Sequence, residues 1–302
     1  MDKRGFARSP LFYVGDKYKL LPEITPLFPQ GIIRFIEPFV GGGSVFMNVQ
    51  AEKYLLNDLD TNVIDIHKYL CSQIKHPQAF YDHLYQIIDS YGLSCSLRKD
   101  IIPDELKKEF VKTYFARFNK DAYNRMKCDY NKSADRPVDI LYLLLIYGFN
   151  RMLRFNAKGD FNLPVGNVDF NKNTEEALKD YLSLVKPSKI QWRNQDFNQF
   201  FAGIRYKEGD FIYLDPPYLI TFSEYNKYWN EETEQQLLNI LTRLDNAGVR
   251  FAISNVTHYK GKVNEQFLHW TENYHVHPVK SNYISYHDNT IKSFNEVLVT
   301  NY

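Results

Sequence analysis

The feature that most constrains this chain is a run of apolar residues that stops at two prolines. Phe211-Ile212-Tyr213-Leu214 follows Gly209-Asp210 and runs into Asp215-Pro216-Pro217-Tyr218. Four consecutive apolar residues predict a buried strand, and the prolines end it because they cannot extend a sheet ladder. Proline also pushes the residue before it out of the helical region, so Asp215 is held extended at the mouth of a rigid turn. A carboxylate, bare carbonyls and an aromatic ring then share one stiff corner. In open α/β sheets ligand sites lie beyond the carboxyl ends of strands, where this corner falls. Asp215, Pro216 and Tyr218 are therefore candidate catalytic residues.

The chemistry suited to such a corner is activation of a poor amine nucleophile. An exocyclic amine on an aromatic base has its lone pair delocalised into the ring. The Asp215 carboxylate and the Pro216 carbonyl could take its two N–H bonds and turn the lone pair toward an electrophile, while Tyr218 offers a face to the ring. A proline-rich loop that merely ends a strand reads the same way, so the decision rests on the rest of the chain.

The 302 residues allow one large domain or two modest ones, and 44% hydrophobic residues suffice for a sizeable core. No apolar run approaches the ~20 residues of a membrane span, and no signal-type segment follows the first residues, so a cytoplasmic protein is expected. Cys71, Cys95 and Cys128 are odd in number and widely spaced, which indicates neither a disulfide framework nor a zinc site. The eight histidines lack ligand spacing, and no metal is expected. A net charge of +1 excludes a uniformly basic surface. Residues 107–158 nonetheless hold twelve Lys/Arg against five Asp/Glu, interleaved with Tyr114, Phe115, Phe118, Tyr123 and Tyr130. That mixture suits a phosphate-facing surface, and equally a solvated helix face with its aromatics turned inward.

Near the start, Tyr13, Gly15 and Lys17 alternate ahead of an amphipathic segment. A lysine near a helix start conflicts with the macrodipole, and a bound anion would resolve the conflict. A strand over 32–36 leads into Glu37-Pro38-Phe39-Val40-Gly41-Gly42-Gly43-Ser44, with a helix opening at 45–49. Strand, glycine turn and helix form a nucleotide-binding unit, but the Gly-x-Gly-x-x-Gly spacing of dinucleotide folds is missing, which disfavours a nicotinamide dehydrogenase. A second strand at 54–56 ends in Asn57-Asp58, where one carboxylate can accept from both hydroxyls of a ribose; Asp60 is the expected cap of the next helix.

From residue 81 to 185 the α/β alternation gives way to amphipathic helices, expected at 79–90, 104–119 and 140–149. Lys158-Gly159-Asp160 marks a turn between short alternating runs, which predicts a β-hairpin carrying Arg151 and Arg154. A two-stranded ribbon fits the major groove, where arginine can grip guanine. Strands are expected again at 190–193, 249–255, 281–286 and 296–301, with an amphipathic helix at 231–246 and a loop at 222–229. The expected organisation is a catalytic domain in two parts, 1–80 and 186–302, around a target-recognition insert at 81–185.

Asp215-Pro216-Pro217-Tyr218 resembles the signature of amino-group DNA methyltransferases, in which an Asp at the first position usually goes with adenine N6. Glu37-Pro38-Phe39 with Gly41-Gly42-Gly43 resembles the S-adenosylmethionine loop of the Dam family of DNA adenine methyltransferases, and the stretch 148–166 resembles its recognition hairpin. Together the three motifs are similar to the Dam family over nearly the whole chain, the phage-type branch most of all. The ending, Glu296 to Asn301, resembles the family's own terminus, from which a complete chain is expected.

The resemblance implies a Rossmann-like α/β sheet with a mostly helical DNA-recognition insert and β-hairpin. It implies a site-specific adenine-N6 DNA methyltransferase that moves a methyl group from S-adenosylmethionine to a flipped-out adenine in double-stranded DNA. Tyr13, Gly15, Lys17, Glu37, Phe39, Gly41, Gly43, Asp58, Asp196, Phe197 and Asp215 would hold the cofactor. Asn150, Met152, Arg154 and Pro164 would read the bases. GATC is the leading candidate site, although Val168, with Asn167 before it, stands where GATC-reading relatives carry an arginine. RNA adenine, cytosine N4 and a catalytically inactive DNA-binding regulator are the competing readings. The resemblance leaves room for a cognate restriction endonuclease acting separately, and for a monomer or a weak dimer.

Overall fold

The computed structural model describes residues 5–99, 101–221, 229–280 and 294–302. The strand expected at 281–286 and most of the loop expected at 222–229 lie outside the described residues. Contacts divide the chain into two compact units.

One unit comprises Lys17–Val40, Asn48–Asp60 and Ser188–Tyr302 and contains the sheet. Its strands are β1 (Arg34–Glu37), β2 (Lys53–Asn57), β3 (Ile190–Arg193), β4 (Asp210–Leu214), β5 (Arg250–Tyr259), β6 (Lys262–Val263), β7 (His275–Val279) and β8 (Phe294–Thr300). The order is β3-β2-β1-β4-β5-β8-β7, with β6 paired to β5. The first five in that order run parallel, and β8 and β7 are antiparallel additions. Because the order reverses between β1 and β4, the loops after these strands diverge and leave the crevice where open α/β sheets bind ligands.

β4 is buried along its whole length, as its unbroken apolar run predicts for a strand covered on both faces. At its start the Arg34 guanidinium of β1 grips the Asp210 carboxylate, with Nε 2.9 Å from Oδ1. Helices α1 (Leu21–Ile24), α8 (Phe197–Ala202), α9 (Glu231–Asn246) and α10 (Glu265–Thr271) complete the unit. Asn230 caps α9 by accepting from the Thr233 N–H, three glutamates occupy its first turn, and Leu237, Leu238, Leu241 and Leu244 bury one face. That face packs on Ile212, Leu214, Phe251 and Ile253 of the central strands.

The other unit comprises Met1–Asp16, Gly41–Met47 and Thr61–Pro187. It holds α2 (Thr61–Gln73), α3 (Pro77–Tyr91), α4 (Asp104–Glu109), α5 (Tyr114–Lys132), α6 (Val138–Tyr147) and α7 (Lys172–Leu184). Seven consecutive residues of α6, Leu141 to Tyr147, are buried, so this helix is the unit's core. The helix expected at 104–119 is two, because Phe110 leaves the helical region at φ −117°, ψ 51°. The helix expected at 45–49 is a single 3-10 turn, Phe46–Asn48. The expected hairpin is a loop closed by two isolated antiparallel bridges, Gly148 to Val165 and Phe155 to Phe161, rather than a continuous ladder. Cys95 is buried, Cys71 half-buried and Cys128 exposed, all as free thiols. Among the described residues no helix is long and apolar enough to cross a membrane.

Candidate active site

In the sheet unit, the end of β4 gathers a charged cluster. Lys17 is buried, with a side chain 3% exposed, and its Nζ lies 2.7 Å from Asp215 Oδ1 and 3.6 Å from Glu296 Oε1. The anion that offsets Lys17 is thus the protein's own pair of carboxylates, and α1 begins only at Leu21. Tyr218 Oη stands 3.0 Å from Asp215 Oδ1 and 2.8 Å from Glu296 Oε1. A phenol has one proton, so it donates to one of these oxygens at a time. The Lys17 ammonium also sits 5.0 Å from the centroid of the Tyr218 ring, a cation–π distance. Behind them the buried Tyr213 hydroxyl meets Ser254 Oγ at 2.9 Å. Burial, the negative field of Asp215 and, more weakly, that of Glu37 raise the Tyr213 phenol well above its ordinary range.

The two Asp215 oxygens therefore differ. Oδ1 is anchored inward by Lys17 and Tyr218, which fixes the rotamer. Among the described residues nothing hydrogen-bonds to Oδ2, and the side chain is 20% exposed. Asp215 and Tyr218 of the motif thus meet directly at this corner, with Pro216 next to Asp215 in the chain.

Around the corner the loops after the parallel strands are tied together by Asn57, which is 1% exposed. Its Nδ2 donates to the carbonyls of Pro38 at 2.9 Å and Gln195 at 3.0 Å, and its Oδ1 accepts from Gln195 N–H at 3.0 Å. Glu37, buried, ends β1. Asp58 follows β2, accepts from the Asp60 N–H at 3.0 Å, and receives Asn194 Nδ2 on its carbonyl at 2.9 Å. Asp196 caps α8 through the Asn198 N–H, at 2.9 Å. Phe197, 5% exposed, belongs to the core and packs on Phe39 (5.9 Å between centroids) and Trp229 (5.7 Å). Glu37, Phe39, Asp58, Asp196 and Phe197 thus all belong to the C-terminal ends of β1, β2 and β3, with carboxylates and aromatic faces on neighbouring loops.

In the helical unit, Tyr13 opens a tight turn closed by Asp16 N–H to Tyr13 O at 3.1 Å, with Gly15 exposed at φ +84°. The ring side of Tyr13 lies against the glycine loop so closely that a Cβ on Gly42 would fall 2.7 Å from Tyr13 Cβ. Gly41 and Gly43 have positive φ, +46° and +79°. His67, on α2 and fully buried, holds this loop with Nε2 2.9 Å from the Gly41 carbonyl. A carbonyl only accepts, so Nε2 carries the proton and Nδ1 faces the Tyr181 hydroxyl at 3.1 Å. Burial lowers the His67 pKa to about 4, against which the Gly41 bond works only weakly.

The same unit carries the expected base-reading residues. Asn150 is exposed and stands, with Arg151, at positive φ (+52° and +49°), an unusual pair for residues with side chains. Arg151 packs its guanidinium 3.8 Å from the Phe12 ring centroid, and burial lowers its pKa to about 10. Arg154 is held by Asn162, with Nε 2.9 Å from Oδ1 and a second donor 2.9 Å from the carbonyl. Pro164 is exposed, Met152 half-buried, and the Phe149 N–H donates to the Pro164 carbonyl at 2.9 Å. Asn167 accepts from the Ala116 N–H at 3.2 Å and Val168 is half-buried. Tyr123 and Tyr130 of α5 turn inward while Arg117, Lys120 and Arg125 stay exposed. Glu296, Asn57 and His67 did not emerge as site residues from the sequence. Asn57 had a signal in its place before Asp58 at a strand end; a lone Glu in a terminal strand and a lone His in an amphipathic helix had none.

A family model described as D12 class N6 adenine-specific DNA methyltransferase matches residues 13–284. The modification methylase StsI of Streptococcus sanguinis is 35% identical, with 98% of this chain and 43% of the relative covered. The type II methyltransferase M.FokI of Planomicrobium okeanokoites is 34% identical at the same coverage. The DNA adenine methylase of Escherichia coli K12 is 30% identical, with 70% of this chain and 65% of the relative covered. The chain spans less than half the length of the first two of these relatives.

Proposed function

The chain belongs to the D12 class of N6 adenine-specific DNA methyltransferases, and on that footing we propose that it methylates adenine N6 in duplex DNA with S-adenosylmethionine as donor. The observation that carries this reading is the asymmetry of Asp215, whose Oδ1 is pinned by Lys17 and Tyr218 while Oδ2 has no hydrogen bond among the described residues, on a side chain 20% exposed. Such a carboxylate accepts one N6–H, and the Pro216 carbonyl accepts the other. The nitrogen lone pair is thereby turned out of conjugation toward the donor, and proximity and orientation supply most of the acceleration. The target base lies inside the stack of a duplex and must be flipped out, at about a few kcal/mol.

The residues fit the cofactor. Carboxylates at the ends of β1 and β2 suit a diol and a charged amino-acid portion, and the Phe39 and Phe197 rings suit an adenine. Glu37, Phe39, Asp58, Asp196 and Phe197 would hold it, with Tyr13, Gly15, Gly41 and Gly43 in the roles that the sequence resemblance implies. When bound, it supplies a methyl group made electrophilic by a positively charged sulfur. Asp215 holds N6 through the transfer, and the methylated nitrogen, now acidic, sheds its proton afterwards. Asn150, Met152, Arg154 and Pro164 would read the bases, GATC being the leading site.

The test is transfer of labelled methyl from S-adenosylmethionine to unmethylated duplex DNA, with the product nucleoside identified by mass and its context read by single-molecule sequencing. N6-methyladenine in one short motif is expected; label in cytosine or in RNA alone would overturn the reading. Asp215→Ala should lower the rate by at least about a thousandfold while leaving cofactor binding largely intact.

A further inference from the structure

Glu296 is a carboxylate with a fully buried side chain in β8, on a strand whose next three residues, Val297, Leu298 and Val299, are buried hydrophobics. Its backbone partners are Val256 of β5 and Val279 of β7. A valine would pack at this position without the desolvation penalty of a buried carboxylate, which amounts to several kcal/mol unless the charge is paired. The side chain is committed instead to the catalytic corner, through Tyr218 Oη at 2.8 Å and Lys17 Nζ at 3.6 Å.

Charge explains what this commitment accomplishes. Asp215 and Lys17 alone, 2.7 Å apart, form a neutral pair, and a carboxylate so paired is a weakened acceptor for an amine. With Glu296 the described residues set two carboxylates against one ammonium. Glu37 adds negative field from the end of β1 at the neighbouring Tyr213 hydroxyl. Methyl transfer moves positive charge onto the accepting nitrogen, so a corner that stays negative stabilises the transition state more than the ground state. Glu296 also offers the Tyr218 hydroxyl a second acceptor, which leaves Asp215 Oδ1 to Lys17.

We propose that Glu296 is a positioning residue for methyl transfer: it holds the Tyr218 hydroxyl and shares Lys17, so that Lys17 orients Asp215 without cancelling its charge. The proposal rests on the function proposed above. It is tested with the full chain, an unmethylated plasmid and labelled S-adenosylmethionine, using Glu296→Gln and Glu296→Asp. Activity of the parent is read first, since a parent that methylates no duplex sinks the function itself rather than this inference. Glu296→Gln keeps the shape and the acceptor oxygen but removes the carboxylate charge. Its kcat should fall at least about tenfold, with cofactor affinity by calorimetry within about threefold of the parent. Glu296→Asp keeps the charge with a shorter reach and should be at least about threefold faster than Glu296→Gln, a rescue that a purely structural role would not give. A Glu296→Gln enzyme within about twofold of the parent overturns the proposal, as does a Glu296→Asp enzyme no faster than Glu296→Gln. Should Glu296→Gln fail to fold, Glu296→Asp is read against the parent alone; folded and inactive, it overturns the proposal, because the charge it keeps should sustain turnover.

Discussion

Asn57 and Gln195 grip each other through two bonds, Gln195 N–H to Asn57 Oδ1 and Asn57 Nδ2 to the Gln195 carbonyl, each 3.0 Å long. With the bond to Pro38, one buried amide thus fixes the loops that follow β1 and β3. Asn57→Ala should destabilise the chain by about 2–4 kcal/mol, because buried backbone groups lose their partners. It should also weaken S-adenosylmethionine binding by about tenfold or more, since the supporting groups of a site set its precision. Denaturant unfolding and calorimetry measure the two effects; loss of stability with unchanged affinity would separate Asn57 from the cofactor site.

Gly43 has no room for a side chain. At φ +79° an added Cβ would lie 2.3 Å from Phe46 Cε1 and 2.9 Å from His67 Cε1. Gly43→Ala combines backbone strain with a clash against packed rings, and should cost about 2–4 kcal/mol in urea unfolding. Gly15→Ala, with the same kind of φ but nothing within 4 Å, should cost clearly less.

His67 makes stability depend on pH in a definite direction. Its ordinary pKa is 6.5 and the folded value about 4, because burial disfavours the charged ring. Between these values the unfolded chain binds more protons, so stability is whole above about pH 6.5 and falls as pH drops toward 4. The loss attributable to this residue is roughly 3 kcal/mol. Carboxylates can add to the same trend, so the readout is the difference between the parent and His67→Gln in urea midpoints at pH 7 and 4.5. A variant with the parent's pH slope would refute the assignment.

Arg154 is aimed by Asn162, which occupies two of its donors. Arg154→Lys should relax discrimination at one base position by about 1–3 kcal/mol while sparing the others. Lys120→Ala, on the exposed face of α5, should instead weaken binding to all sequences alike and lower the salt dependence by about one counterion. Competition binding with single-base substitutions at two salt concentrations distinguishes the two patterns.

What the sequence made legible was whatever local chemistry dictates. β4 could be read because an unbroken apolar run meets two prolines, and α9 because its leucines recur at helical spacing behind an Asn cap. β7 could not, since His275-Val276-His277-Pro278-Val279 is half polar and contains proline, and becomes a strand only by pairing with β8. α7 was missed too, although Asn171 caps it through the Thr174 N–H. In the site, consecutive residues such as Asp215 to Tyr218 carry their own signal. Lys17 could be flagged as misplaced charge, but its partners sit 198 and 279 positions further along the chain, and only the sheet brings them together.

β8 lies between β5 and β7 and carries Glu296 into the charged corner. The charged corner joins Lys17 to Glu296, so it is complete only once β8 has paired with β5 and β7. Until β8 is inserted, β5 is an open edge and Lys17 faces one carboxylate instead of two. Fraying of β8 would therefore dismantle the corner at the same step that reopens the sheet, so order in this strand and order in the corner rise and fall together.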